Sequence, residues 1–161
     1  MTKYLQILKL VDKLYKIKVY KGGDNMAYIN SFTYCEDIQQ EIANNKVVSK
    51  IVNPLTELQT LFIPTHYSFA ISCGITGVNI DNDKFIRIVF MSPKGEIVND
   101  TGKIDLSNFP RNNKETTGNL KFNLIMKNVT LRETGIYETK IELNDQELQS
   151  FKIEVKKVEE K

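Results

Sequence analysis

Between Leu120 and Lys156 the chain alternates apolar and polar residues in three successive runs, joined by Glu133-Thr134-Gly135-Ile136-Tyr137 and by Asn144-Asp145. Leu120, Phe122, Leu124 and Met126 fall on one face of an extended chain, while Lys121, Asn123 and Lys127 take the other. A period of two is what a half-buried strand requires. Tyr137, Ile141 and Leu143 alternate with Glu138, Lys140 and Glu142, and Phe151, Ile153 and Val155 alternate with Lys152, Glu154 and Lys156. A helix cannot use this pattern, because 3.6 residues per turn would scatter the apolar side chains around its circumference. Asn144-Asp145 between two such runs is a hairpin signal, since both residue types tolerate the left-handed backbone of a two-residue turn.

The remaining chain supplies more strands of the same kind. Met26 to Cys35 is rich in Tyr, Phe, Ile and Thr and predicts a first strand. Glu36 to Asn45 is polar and reads as a loop, Lys46 to Val52 as a second strand ending before Pro54, and Thr56 to Phe62 as a helical turn before Pro64. Tyr67, Phe69, Ile71, Cys73 and Ile75 form the longest alternating set, opposed by His66, Ser68, Ala70, Ser72 and Gly74. Phe85 to Met91 is apolar on both faces, which places it centrally in a sheet. Ser92-Pro93-Lys94-Gly95 fits a β-turn leading into a short strand at Glu96 to Asn99, with another at Thr101 to Leu106. Ser107 to Gly118 is the longest stretch poor in apolar residues and reads as a loop.

Seven or eight short strands with regular turns predict an all-β chain, an antiparallel immunoglobulin-like β-sandwich rather than an α/β enzyme fold. Tyr137 sits where such a sandwich places its tyrosine corner, with Gly135 permitting a tight approach and a backbone carbonyl near Glu133 within reach of the phenol. The alternative is a Tyr that only fills the core.

At 161 residues the chain suits one domain, with 41% apolar and 26% charged residues. No apolar run approaches the roughly 20 residues of a membrane-spanning helix. The net charge of +2 is concentrated at the N-terminus. Residues 1–25 hold six lysines and two aspartates, leaving 16 basic and 18 acidic residues in the body. A body without a basic stripe is not expected to bind nucleic acid. Met1 to Lys18 can form a basic amphipathic helix through Tyr4, Ile7, Leu8, Val11, Leu14 and Tyr15, and only such a helix would bring a membrane surface into the picture. A second reading comes from Lys21-Gly22-Gly23-Asp24-Asn25-Met26, whose codons permit a bacterial ribosome-binding sequence about seven nucleotides before an ATG. On that reading translation starts at Met26, the sandwich spans 26–156, and 157–161 is a charged tail.

Tyr34-Cys35-Glu36, Asn53-Pro54-Leu55, Ile63-Pro64, Ser68-Phe69, Ser92-Pro93-Lys94-Gly95 and Gly135-Ile136-Tyr137, in this order, resemble an uncharacterised bacterial family of small β-sandwich proteins, a domain of unknown function. The likeness runs from about Ala27 to Val155. It implies the sandwich fold, does not fix whether the host is a bacterial chromosome or a mobile element, and transfers no catalytic residue.

Chemistry-bearing residues are sparse. His66 is the single histidine and has no second His at ligand spacing, and Cys35 and Cys73 lie in separate runs, so no zinc pattern forms. The cysteines read as buried reduced thiols, which fits a cytoplasmic protein, or as one staple between two strands. Neither cysteine comes with the orienting third group that a Cys-His pair needs. Asn79, Asp81 and Asp83 cluster oxygen donors in a connection but lack the Gly and the bidentate Glu of a calcium loop, which favours a polar turn. No cofactor motif is present; Gly74-Ile75-Thr76-Gly77 lacks the Lys and hydroxyl residue of a phosphate loop.

The expectation is a non-enzymatic protein-recognition or assembly module. Its candidate binding loops carry Asn79, Asp81, Asp83, Phe109, Arg111 and Lys114, while Glu133, Gly135 and Tyr137 form a structural corner. The alternative is a small-ligand protein that binds or sequesters a nucleotide signal or a sugar through Tyr28, Tyr34, Tyr67 and Phe109 with Arg111.

Overall fold

The computed structural model describes residues 26–79, 81–109 and 117–159. The expected N-terminal helix, together with Arg111 and Lys114, lies outside these residues.

Among the described residues, ten strands in two sheets enclose one core, where the sequence predicts seven or eight. The first sheet has the order β2-β1-β4-β8, made of β2 (Lys46–Pro54), β1 (Tyr28–Ala43), β4 (Thr65–Asn79) and β8 (Thr117–Leu131). The second has the order β3-β10-β9-β5-β6, made of β3 (Glu57–Thr60), β10 (Gln146–Lys157), β9 (Gly135–Leu143), β5 (Phe85–Met91) and β6 (Ile97–Asp100). The two-residue β7 (Ile104–Asp105) pairs with β5, and one 3-10 turn follows at Leu106–Asn108. The chain forms an immunoglobulin-like sandwich, with its first edge strand continued into the opposite sheet as β3.

Alternation explains the core. Phe69, Ile71, Cys73 and Ile75 of β4, Ile86, Ile88 and Phe90 of β5, and Tyr137, Ile141 and Leu143 of β9 all point between the sheets. Phe122 and Met126 face inward from β8, and so do Val129 and Leu131. Inward positions therefore shift from even to odd numbers at Asn128, whose φ of 52° accompanies a bulge opposite Tyr67 and Phe69. One extra residue re-aims every side chain beyond it, which keeps apolar groups inward on both sides of the bulge.

Three local readings are corrected. Glu36 to Asn45 is not a loop. It continues β1 through Ala43, and Asn44-Asn45, with φ of 52° and 58°, makes the tight turn into β2. Five charged or amide side chains around Ile38 and Ile42 hid this strand, which lies beyond the sandwich core. Thr56 to Phe62 is not a helical turn, since Glu57–Thr60 is β3, anchored by the fully buried Leu58. Nor is the fold wholly antiparallel, because β3 runs parallel to β10, with Leu58 opposite Val155. β10 extends through Lys157, and the Val158 amide then donates to the Thr60 carbonyl at 2.9 Å.

Candidate functional site

Of the predicted loop residues, Asn79, Asp81 and Asp83 hold one another at one end of the sandwich. Asn79 Oδ1 accepts from the amides of Asp81 and Asn82 at 3.1 and 3.3 Å, and Asp83 Oδ2 accepts from the Asn79 amide at 2.7 Å. The other Asp83 oxygen accepts from Asn144 Nδ2 at 3.0 Å, and Asn144 Oδ1 accepts from the Lys84 amide at 2.9 Å. These contacts splice the β4-β5 connection to the β9-β10 turn. Beside them lies an open depression of about 460 Å³, lined by Asp81, Asp83, Phe85, Lys103, Asp105 and neighbours. Lys84 and Lys103 both line it, and Lys103 is engaged: its Nζ lies 4.1 Å from the Phe85 ring centroid and 2.9 Å from Asp145. Asp105 accepts from the Ser107 amide at 2.8 Å, and hydrogen bonding from the Ser107 hydroxyl and then its amide holds the carboxyl below the usual range.

The aromatic residues considered for ligand stacking do not converge. Phe109 packs edge-on against Phe122, with ring centroids 5.4 Å apart. Tyr34 is buried, and its hydroxyl donates to Thr139 Oγ1 at 2.7 Å and to the Phe151 carbonyl at 3.1 Å. Burial raises the Tyr34 pKa strongly. Tyr28 is exposed near the start of β1, and Tyr67 sits on β4 near Phe69.

At the opposite end, Tyr137 Oη donates to the Glu133 carbonyl at 2.9 Å, the bond that defines a tyrosine corner. Gly135 has a φ of 129°, and a Cβ there would lie 3.1 Å from Pro93. Both observations explain why this corner takes glycine. The Glu133 carboxylate pairs with Lys94 at 3.0 Å, so the corner is braced from the β5-β6 turn.

The thiols and the imidazole are kept apart. Cys73 faces the core, and burial pushes its pKa up to about 12. Cys35 is buried on the other face of the same sheet, and its pKa is also raised by burial. The two cysteines are free, and alternation along β1 and β4 aims them in opposite directions, which rules out a staple between them. A reactive thiol needs a lowered pKa, so both have the character of structural residues. His66 is exposed near the start of β4, with Nδ1 3.3 Å from Thr130 Oγ1.

What sequence reading missed is an arm. β1 pairs with β4 only from Tyr28 to Cys35, and beyond that point it pairs with β2 alone. Gln40 pairs with Ser49, and Ser49 Oγ accepts from Asn123 Nδ2 at 2.8 Å. Asn123 lies in the same cross-strand row as Ser72 and Thr33. At about 3.3 Å per residue a straight β1 would carry Gln40 some 23 Å beyond Thr33. The β1-β2 ribbon therefore turns back over the outer face of its own sheet. That return accounts for the burial of Cys35, Ala70 and Ser72, which all point away from the core.

By register, Ile38, Gln40 and Ile42 share one face of the arm with Ile51, Ser49 and Val47. Near the turn this face is uncovered: Ile42 is 81% exposed and its cross-strand partner Val47 is 68% exposed. The other face carries Asp37, Gln39 and Glu41 from β1 beside Lys46, Val48 and Lys50 from β2. The signal that could have found the arm is Asn44-Asn45 flanked by Ile42 and Val47, a two-residue hairpin turn between apolar residues.

Residues 30–156 match a family of unknown function, DUF6941. Among solved structures, an immunoglobulin-like protein from Pseudomonas aeruginosa is similar over 84% of this chain and 100% of its own, at 13% identity and a TM-score of 0.38. A β-glucosidase from Listeria innocua, in complex with isofagomine, is similar over 83% of this chain and 17% of its own, at 10% identity and a TM-score of 0.41. Neither neighbour carries a function over to this chain. No curated protein matches.

Proposed function

The chain belongs to the family of unknown function DUF6941, and we propose that it is a non-enzymatic protein-recognition or assembly module whose β1-β2 arm engages a protein partner. The observation that carries this reading is the pair Ile42 and Val47, apolar side chains opposite each other near the arm's turn and exposed to water at 81% and 68%. Placing them there forgoes the free energy of burial, about 25 cal/mol per Å² of apolar surface, which a partner would recover. The sandwich body supplies a rigid mount, and the arm's tether to Asn123 limits the ordering cost of binding.

The small-ligand reading is less well supported. Its aromatic residues are dispersed between core and surface, and in the depression beside Asp83 three of the charged side chains are already engaged, Asp83 with Asn144, Lys103 with Asp145 and Asp105 with the Ser107 amide.

Comparative capture tests the proposal. Tagged wild type and the double variant Ile42→Ser, Val47→Ser are expressed in the native host and their bound proteins quantified by mass spectrometry. The proposal expects wild type and the double variant to be equally stable and at least one partner to be depleted about tenfold or more from the variant, because removing an apolar pair at the centre of an interface costs more than about 1 kcal/mol when it is a hot spot. Identical sets of captured proteins would overturn it.

A further inference from the structure

We infer that the partner taken by the arm is a second copy of this chain, joined through antiparallel pairing of β2 with β2 around a twofold axis at Ser49. The inference rests on the proposed role of the arm and names its occupant. β2 ends its sheet, and among the described residues no strand pairs with its outer side. Its unpaired backbone groups form a ready template for another strand.

The residues of β2 choose both the occupant and the register. With Ser49 opposite Ser49 of the second copy, Val47 faces Ile51 of that copy and Ile51 faces its Val47. The pairing already present inside each arm, Ile42 with Val47 and Ile38 with Ile51, then extends across all four strands. One row reads Ile42, Val47, then Ile51 and Ile38 of the second copy, and the twofold axis generates its mate. Between the two apolar rows lies a polar row of Gln40, Ser49, Ser49 and Gln40. On the reverse face Val48 stands opposite Lys50 of the second copy, and Lys46 opposite Val52.

No like charges are directly opposed in this register. Sliding it by two residues in one direction sets Lys46 against Lys50, and in the other sets Lys50 against itself. A slide of one residue puts the apolar face of one arm on the charged face of the other. Moving further toward Pro54 brings in a residue without an amide hydrogen beside Asn53, whose φ is 45°. A two-stranded ribbon is marginal alone, and a four-stranded one with two apolar rows is not.

Sedimentation equilibrium of the full chain and two substitutions at one exposed position reads this register. Val48→Lys sets two lysines against Lys50 of the opposite copy and is expected to weaken the dimer about tenfold or more. Val48→Glu creates two opposite-charge pairs and is expected to tighten it several-fold, both effects shrinking in high salt. Ser49→Cys is expected to give a reducible dimer under mild oxidation, because the paired Cα atoms fall within disulfide range. A wild type that stays monomeric to about 1 mM overturns the inference, as do equal responses to Val48→Lys and Val48→Glu, since the second result means that another surface or register joins the copies. These outcomes separate from the broader reading. A monomer whose captured partners still depend on Ile42 and Val47 leaves the recognition role standing with a different occupant, whereas a monomer with no such dependence removes both.

Discussion

The hydroxyl of Tyr34 donates a 2.7 Å hydrogen bond to Oγ1 of Thr139, joining β1 in one sheet to β9 in the other through the buried centre of the sandwich. Thr139 is fully buried and lies two residues after the corner tyrosine, the position at which antibody domains place the second cysteine of their inter-sheet disulfide. Here a hydrogen bond occupies that station, flanked by Phe32 stacked on Phe151 at 3.8 Å. Tyr34→Phe is expected to destabilise the chain by about 1–2 kcal/mol in urea unfolding, because it leaves a buried hydroxyl without its partner. Adding Thr139→Val should cost less than the sum of the two single changes, since the apolar pair leaves nothing unsatisfied. Strict additivity would show that the bond contributes no coupling.

Tyr137 and Glu133 hold the corner between β8 and β9. Tyr137→Phe keeps the stacking on Phe90 and loses only the 2.9 Å bond to the Glu133 carbonyl, so a loss of about 1 kcal/mol is expected. Partner capture by the folded variant should match wild type, because the corner is scaffold. Lost capture without lost stability would move the functional surface to this end of the sandwich.

Acid sensitivity should map to three carboxyls, Asp105 held by Ser107 and two held in ion pairs. Arg87 forks onto Asp100 at 2.9 and 2.6 Å, and this hydrogen bonding, aided by the Gly102 amide, holds the Asp100 carboxyl below its ordinary 3.8. Glu57 is likewise held below its ordinary 4.5, chiefly by Lys156. A carboxyl more acidic when folded adds stability above its unfolded pKa and loses it as pH falls through the folded value. The Tm of wild type should therefore decline from about pH 4.5 downward, and Asp100→Asn should flatten part of that decline. An unchanged acid limb would remove Asp100 from the account.

Asn123 bridges Ser72 and Ser49, accepting from the first at 3.2 Å and donating to the second at 2.8 Å. Asn123→Ala should loosen the arm while the body stays folded. Amide exchange across Ile38 to Ile51 is expected to speed up about fivefold, the equivalent of one hydrogen bond's net contribution of about 1 kcal/mol. Exchange that is unchanged in the arm would mean that its return over the sheet does not depend on this tether.

The corner and the last hairpin were legible because local chemistry dictates them. Gly135 and Tyr137 declare the first, and Asn144-Asp145, with φ of 49° and 62°, declares the second. Phe85 to Met91 announced its place between β9 and β6 by being apolar on both faces. β3 was illegible because its strand character comes from Val155 and its neighbours, nearly a hundred residues away, and only Leu58 contributes to the core. The arm was obscured for the opposite reason: a ribbon that leaves the core sheds the alternation by which strands are recognised. The role of Thr139 was not read from the sequence, although its inward parity with Tyr137 and Ile141 was the available clue.

Site-specific photo-crosslinking tests the recognition role of the arm most directly. A benzoyl-phenylalanine replaces Val47 near the arm's turn or, as a control, Ile97, which is 59% exposed on the edge strand of the other sheet. After illumination of cells expressing each chain, the account predicts a discrete protein adduct from position 47 and none from position 97, with the adduct mass identifying the partner. No adduct at position 47, or equal adducts at both positions, would contradict it.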